Sequence, residues 1–335
     1  VIDFRYHIVS LISVFLALAV GIALGAGPLK ETIGDSLTGQ VSSLRAEKES
    51  LRSELDTTTS SLNHAQGYID ASAGRLLDGT LAGRRVAVVA LGDVLTDLGA
   101  AIDSRLQQSG ASVSAHVQLT AAWTDPAQRS FRQALAGNLV TYLSPAPAAG
   151  ATADAELALA LTQALASADP AAPDKQASSA SILLELLSSG DSPLITVTGT
   201  VSTPADAIVV VAPEAATTDS TATPPADDVQ SARLDVVSAA ASGSEGAVLV
   251  GGARGNGSLV DALLKDATLA SRVSTVSGMK AVSAQVDVPL ALAAQIGGQV
   301  GHYGFGDSET VLPPAVVLPP VNRTPTAPAA AGTGG

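Results

Sequence analysis

The sequence predicts an α/β protein: an N-terminal transmembrane helix running into a coiled-coil helix, then a Rossmann-like, mostly parallel sheet with helices on both faces. Three observations carry that reading. Residues 8–27 hold no charge, apolar residues then recur with heptad spacing from Leu37 to Leu76, and after Arg84 short apolar runs alternate with helical patterns.

The first element is long enough to cross a bilayer. Residues 8–27, at about 1.5 Å each, span roughly 30 Å of helix, the thickness of the hydrocarbon core. A cleaved signal is the alternative, because "ALGAG" at Ala23–Gly27 imitates a small-x-small site. Signal cores are shorter, about 7–15 residues, and Pro28 with the helical sequence beyond it leaves little extended chain for a peptidase. The anchor is therefore preferred. Residues 1–7, whose Arg5 and amino terminus outweigh Asp3, then form a cytoplasmic tail, and the bulk of the chain lies outside as a single-pass cell-membrane protein. Ala17, Gly21 and Gly25 fall four apart on one helix face, the small-xxx-small pattern through which membrane helices pack, although Gly and Ala are common in such helices generally.

Residues 30–80 read as a coiled-coil stalk. Leu37, Leu44 and Leu51 occupy d positions, and Val41, Leu55, Leu62, Ile69 and Leu76 occupy a positions, without a skip. Lys48 takes one a position, where a polar residue fixes alignment, and the outer face "RAEKESLRSEL" is charged. A single amphipathic helix lying on its own domain competes with this reading. The unbroken register favours a parallel homodimer, whose residues 37–76 would extend about 60 Å if helical throughout.

The α/β domain is placed at 84–312. "RRVAVVAL", "ASVSAHVQL", "PLITVTG", "DAIVVVAP", "GAVLVGG" and "RVSTVSG" read as strands, with helical patterns at "LGAAIDSRLQQSG" and near Ala155–Ala168, Ser179–Ser188, Val229–Ala241, Ser258–Ala267 and Val288–Ile296. That alternation predicts parallel pairing with both faces covered. Low-complexity stretches near 144–176 and 212–228 are expected to be surface insertions, and 313–335 a disordered Pro/Ala/Thr-rich tail.

Composition excludes several functions. A net charge of -13 with no Lys/Arg cluster argues against nucleic acid as a partner. The absence of cysteine removes disulfides, thiolate nucleophiles and Cys-based metal sites. No HExxH or GxSxG occurs, and the histidines at 7, 64, 116 and 302 are scattered. The expectation is a non-enzyme without a resident cofactor, with metal candidates limited to Met279, His116 and His302. Possible ligand or partner loops are Gly92–Asp93, then "VGGARGNGS" with Gly252, Arg254, Gly255 and Ser258, and "GGQVGHYGFGD" with His302 and Tyr303. Plain turn chemistry competes for the second loop, and a mobile connection into the tail competes for the third.

"RYHIVSLISVFLALAVGIALG", a coiled coil, "RRVAVVAL", "VQLTAAWTDP" and "GHYGFGD", in that order, resemble the mycobacterial copper transport protein B family of actinobacteria, from Val1 to Pro314. The resemblance implies a cell-envelope protein of copper homeostasis or efflux, described in the family as a channel-like transporter. A similar branch is linked to control of cell division and cell-wall hydrolases through a membrane-anchored coiled-coil dimer. Donor chemistry tilts this chain toward an indirect role, because Cu(I) selects Cys, Met and clustered His, and one membrane helix encloses no pore. The expected partners are a second copy, the bilayer through one helix, and an envelope or division protein. A small-molecule sensor or enzyme using the α/β crevice is the rival.

Overall fold

The computed structural model describes residues 4–26, 28–94, 96–214 and 226–323. The chain divides into two compact units, Val1–Ala65 and Gln66–Gly335. The first holds helix α1 (Phe4–Ala26) and most of α2 (Pro28–Leu77). Residues Phe4–Gly25 are long and apolar enough to cross a membrane, and none of that stretch is buried within the chain. Helix α2 runs 50 residues, with its single proline in the first turn, where a missing N–H costs no helical hydrogen bond.

The second unit is built on strands β1 (Arg85–Ala90), β2 (Ser112–Leu119), β3 (Ala168–Asp169), β4 (Ala172–Gln176), β5 (Ile195–Thr198), β6 (Ala207–Val211), β7 (Ala247–Val250), β8 (Ser274–Val276) and β9 (His302–Tyr303). Seven of them form one sheet in the order β5-β2-β1-β6-β7-β8-β9, while β3 and β4 pair as a separate hairpin. Every pairing in the large sheet is parallel except β2 with β5, an antiparallel edge.

Both faces of the central strands are buried, which is why they read as continuous apolar runs. Val86, Val88, Val209 and Val248 face one cluster, which α3 (Thr96–Gln108) covers with Ile102 and Leu106 and α10 (Val282–Ile296) with Val288 and Leu292. Ala87, Val89, Ile208, Val210 and Leu249 face the other. That side is covered by α4 (Arg129–Leu139), α5 (Ala153–Ala166), α6 (Ser178–Ser188), α7 (Asp227–Gly243), α8 (Leu259–Lys265) and α9 (Ala267–Ala270).

Three expectations are corrected. The stretch near 144–176 is a surface insertion only in part: residues 144–152 are largely exposed, but α5, the helix expected near 155–168, belongs to the core, with Leu157, Leu161 and Leu165 recurring every four residues and fully buried with Ala158, Ala160 and Ala164. Alanine there lets helices approach closely. Residues 313–323, expected in a disordered tail, lie against the domain. Leu318 packs on the α3/α10 cluster, Arg84 donates to the Pro319 carbonyl at 3.3 Å, and Arg323 pairs with Asp206. The stalk boundary also moves, since α2 from Gln66 belongs to the α/β unit. Its Ile69, Ala73 and Leu77 pack on Val286 and Leu290 of α10, and Asp70 pairs with Arg105 of α3. Residues 215–225 of the insertion placed at 212–228, and 324–335 of the tail, lie outside the described residues.

Helix α10 is buried almost all round, and Asp287 lies in its middle, 3% exposed. Burial pushes its carboxyl up to about 7. In the unfolded chain that carboxyl ionises near 3.8. Between those values the folded state holds a proton that the unfolded state has lost, so stability falls as pH rises from about 4 to about 7.

Two predictions follow from these packing arguments. Leu161→Ala should cost about 2–5 kcal/mol in urea unfolding of the full chain, whereas the same change in a surface insertion would stay within about 0.5 kcal/mol. Asp287→Asn should flatten the decline of the urea midpoint between about pH 5 and pH 8, leaving the variant more stable than the native chain at the upper value. An unchanged decline in the variant would assign the pH dependence elsewhere.

Candidate functional site

Two surfaces collect the residues that internal packing does not consume. The first is a stripe on α2. Leu37, Val41, Leu44, Leu51, Leu55 and Leu62 are all exposed, with Leu44 and Leu55 at 64% and 65%, on a helix whose other faces are polar. Their seven-residue recurrence places them on one seam. Lys48 lies between them, and Glu49 and Arg52 form an exposed pair at 3.9 Å. Leu76 is exposed as well, but Ile69 is turned onto α10, so the last turns of the expected seam serve the domain's own packing. On α1, a methyl group at Gly21 or Gly25 would meet nothing within 4 Å, so packing inside the single chain does not explain the small residues there.

The second surface is the carboxyl edge of the parallel strands. From β1 the chain moves outward to β2 on one side, whereas β6, β7, β8 and β9 succeed each other on the other. The connections therefore diverge between β1 and β6, the position at which open α/β sheets leave a crevice. Gly92 and Asp93 follow β1 there, and Pro213 and Glu214 follow β6. Gln118 of β2 donates to Asp93 Oδ1 at 2.8 Å. Arg233, in the second turn of α7, brings a terminal guanidinium nitrogen beside Gly92. The sequence reading missed Arg233, because a lone arginine within an apolar helical pattern has the appearance of a solvated residue.

The loop after β7 is held by its own charges. Arg254 Nε donates to Asp261 Oδ1 at 2.7 Å and the Gly255 amide donates to Asp261 Oδ2 at 2.6 Å. Arg254 also donates to the Asp307 carbonyl at 2.9 Å, so its guanidinium ties two loops together. Gly252 adjoins the Glu214 side chain, and Glu214 pairs with Lys280 at 2.6 Å. Ser258 precedes α8 in N-cap geometry, yet its hydroxyl makes no cap bond. It lines an open polar cleft of about 430 Å³ with Gln230, Asn256, Asp261 and Lys265.

The segment "GHYGFGD" is corrected from a flexible contact loop to a structural lock. His302 and Tyr303 form β9, paired with β8, and Tyr303 is 3% exposed in the α3/α10 cluster. His302 faces the opposite side, within 3.0 Å of Thr275 Oγ1, and burial lowers its pKa. Glu309, which the sequence reading did not select, has a fully buried side chain. Its Oε2 accepts from Ser277 Oγ at 2.8 Å and from the Gly306 amide at 2.7 Å. A Cβ at Gly304 would collide with both Ser277 Oγ and that carboxylate, so the glycine makes room for the lock. Phe305 alone of the motif's aromatics is strongly exposed.

The three metal candidates do not converge. His116 sits on β2, its Nε2 2.9 Å from both Asp103 oxygens, and His302 sits on β9. Five strand spacings separate them, roughly 24 Å. Met279 is buried on the α3/α10 face, away from the His302 ring. Among the described residues no three His, Asp or Glu side chains form a metal-sized group. A cuprous ion needs soft or imidazole donors within one coordination sphere, and this arrangement does not supply it.

Comparison with known proteins adds the biological setting. Residues 1–314 match the family model described as copper transport outer membrane protein, MctB. The copper transporter MctB of Mycobacterium tuberculosis is 31% identical over 319 residues, covering 91% of this chain and 96% of the relative. The protein of the same name from Mycobacterium bovis aligns with the same identity and coverage. That of Mycobacterium leprae is 34% identical over 124 residues, 37% of this chain and 39% of the relative.

Proposed function

Because the chain belongs to the MctB family, we propose that it serves copper handling in the cell envelope as a membrane-anchored, parallel helical dimer that holds other envelope proteins, without passing copper along its own side chains. The observation that carries this reading is the exposed apolar seam of α2. Six apolar side chains at heptad spacing, left uncovered by their own chain, bury their area most simply against a second copy in register. Lys48 at an a position disfavours a sliding register. Gly21 and Gly25 would continue the contact within the bilayer.

The separation of Met279, His116 and His302 supports an indirect role. In this proposal α1 crosses the membrane once, its amino terminus in the cytoplasm, with the α/β unit on the other side as the docking module. The exposed turn at Gly92–Asp93 and the loop carrying Arg254 and Ser258 are its contact surfaces. A scaffold that regulates cell division would use the same seam, so the two roles differ in partner and share an assembly.

Leu51→Asp with Leu55→Asp tests the proposal. Sedimentation of the full chain in detergent should show a dimer that these changes convert to a monomer. A copper-sensitive strain that depends on this chain should lose its copper tolerance with the same double variant. A monomeric native chain would reject the dimer, and full tolerance from the monomeric variant would reject its role in copper handling. Cu(I) titrated against a competing chelator should find no tight stoichiometric site. Such a site, lost on His302→Ala, would replace the indirect role with direct metal binding.

A further inference from the structure

Nine arginines lie from Arg84 onward, and eight have an acceptor. Arg84 pairs with Glu245, Arg85 with Asp174, Arg105 with Asp70, Arg129 with Asp228, Arg132 with Asp154, Arg254 with Asp261 and Arg323 with Asp206. Arg272 donates to Ser242 Oγ at 2.8 Å. Arg105 and Arg323 also bury an Nε without a partner but bond through their terminal nitrogens, whereas Arg233, its Nε buried likewise, makes no hydrogen bond or ion pair at all among the described residues.

From this exception we infer that Arg233 anchors an oxyanion site at the carboxyl edge of the sheet, for a small molecule bearing a carboxylate or a phosphate monoester. The Nε edge of this half-buried guanidinium is withdrawn from water and has no acceptor among the described residues, which carries a desolvation cost, while its terminal nitrogens, which make no hydrogen bond there, are left for a ligand. An incoming oxyanion would repay that cost through paired charge-assisted hydrogen bonds. Burial lowers the Arg233 pKa, in keeping with that withdrawal.

Position supplies the independent support. Arg233 reaches the divergence between β1 and β6, where ligands of open parallel sheets enter. Its terminal nitrogen would lie 3.8 Å from a Cβ on Gly92, and Pro213 would lie 3.6 Å from the same atom. Glycine there leaves a space of about one side-chain carbon between the turn and the cation. Asp93, the carboxylate of that turn, is engaged by Gln118 on the β2 side, whereas Pro213 and Arg233 stand on the β6 side. The inference is independent of the α2 seam.

The test is thermal unfolding of the full-length protein in detergent, titrated with inorganic phosphate or acetate at constant ionic strength maintained with chloride. At least one anion should raise the native Tm saturably. A response to phosphate alone identifies a phosphate monoester ligand, a response to acetate alone a carboxylate, and a response to both a general oxyanion site. Arg233→Met should abolish the response while leaving the anion-free Tm equal to or above that of the native chain, because a part-buried cation with no acceptor among the described residues has been removed. Arg233→Lys should keep the fold and weaken the apparent affinity by about tenfold, since a point charge replaces the planar fork. No saturable response from the native chain, an undiminished response in Arg233→Met, or a lowered anion-free Tm in that variant would each overturn the assignment. Leu51→Asp with Leu55→Asp should retain the response, which separates failure of this site from failure of the dimer.

Discussion

Central parallel strands that bury both faces constrain the rest of the α/β unit. Strands β1, β6 and β7 bury both of their surfaces, so each must be flanked above and below by helices, and each connection must cross a face of the sheet. Polar anchoring is consequently confined to the two ends of the strands. At the amino end, Asp206 accepts from the Arg85 amide at 2.7 Å, and Arg84 reaches Glu245 at 3.0 Å. The C-terminal segment through Arg323 is fastened to that same end. At the carboxyl end, the buried Glu309 carboxylate holds β8 and the turn after β9 together.

Small side chains make this arrangement possible in a chain with so few aromatics. Trp123 is the largest fully buried residue, and it lies in the corner formed by "VQLTAAWTDP". Thr120 donates to the Pro193 carbonyl at 2.7 Å, and Arg132 donates to the carbonyls of Ala122 at 3.1 Å and Asp125 at 2.7 Å. Elsewhere alanine and valine replace bulk with close approach. In α5, Ala158, Ala160 and Ala164 are fully buried beside three leucines, which brings the helix backbone near α4, α6 and α7.

Legibility followed the same physics. Strands β1, β6 and β7 could be read because burial on both faces leaves an unbroken apolar run, and the ordered motifs placed the chain in the family whose model spans 1–314. Helix α4 was not readable, because its buried Arg132 counts as a surface residue until its acceptors are known. Strand β9 has two residues, too few for any period. Helix α5 was legible as a helix near 155–168, but its place in the core was not, because alanine marks both linkers and tight interfaces. Neither Glu309 nor Arg233 belongs to a pattern in sequence. The first is defined by glycines that vacate space for it, the second by the lack of an acceptor among the described residues, and both properties exist only in three dimensions.

That distinction bears on which residues carry function. Two of the segments by which the sequence resembles its family, "VQLTAAWTDP" and "GHYGFGD", are occupied largely by internal hydrogen bonds and buried side chains. A residue whose donors and acceptors are satisfied within the fold has little left to offer a partner. The outward-facing chemistry lies elsewhere, in the seam from Leu37 to Leu62 and in Arg233, a cation without a partner among the described residues. One is apolar and repetitive, suited to a second helix; the other is a single half-buried charge beside Gly92, suited to a small anion. Neither resembles a copper coordination sphere. In the reading proposed above, such a chain would serve metal handling through assembly, leaving coordination of the ion to donors supplied by other molecules.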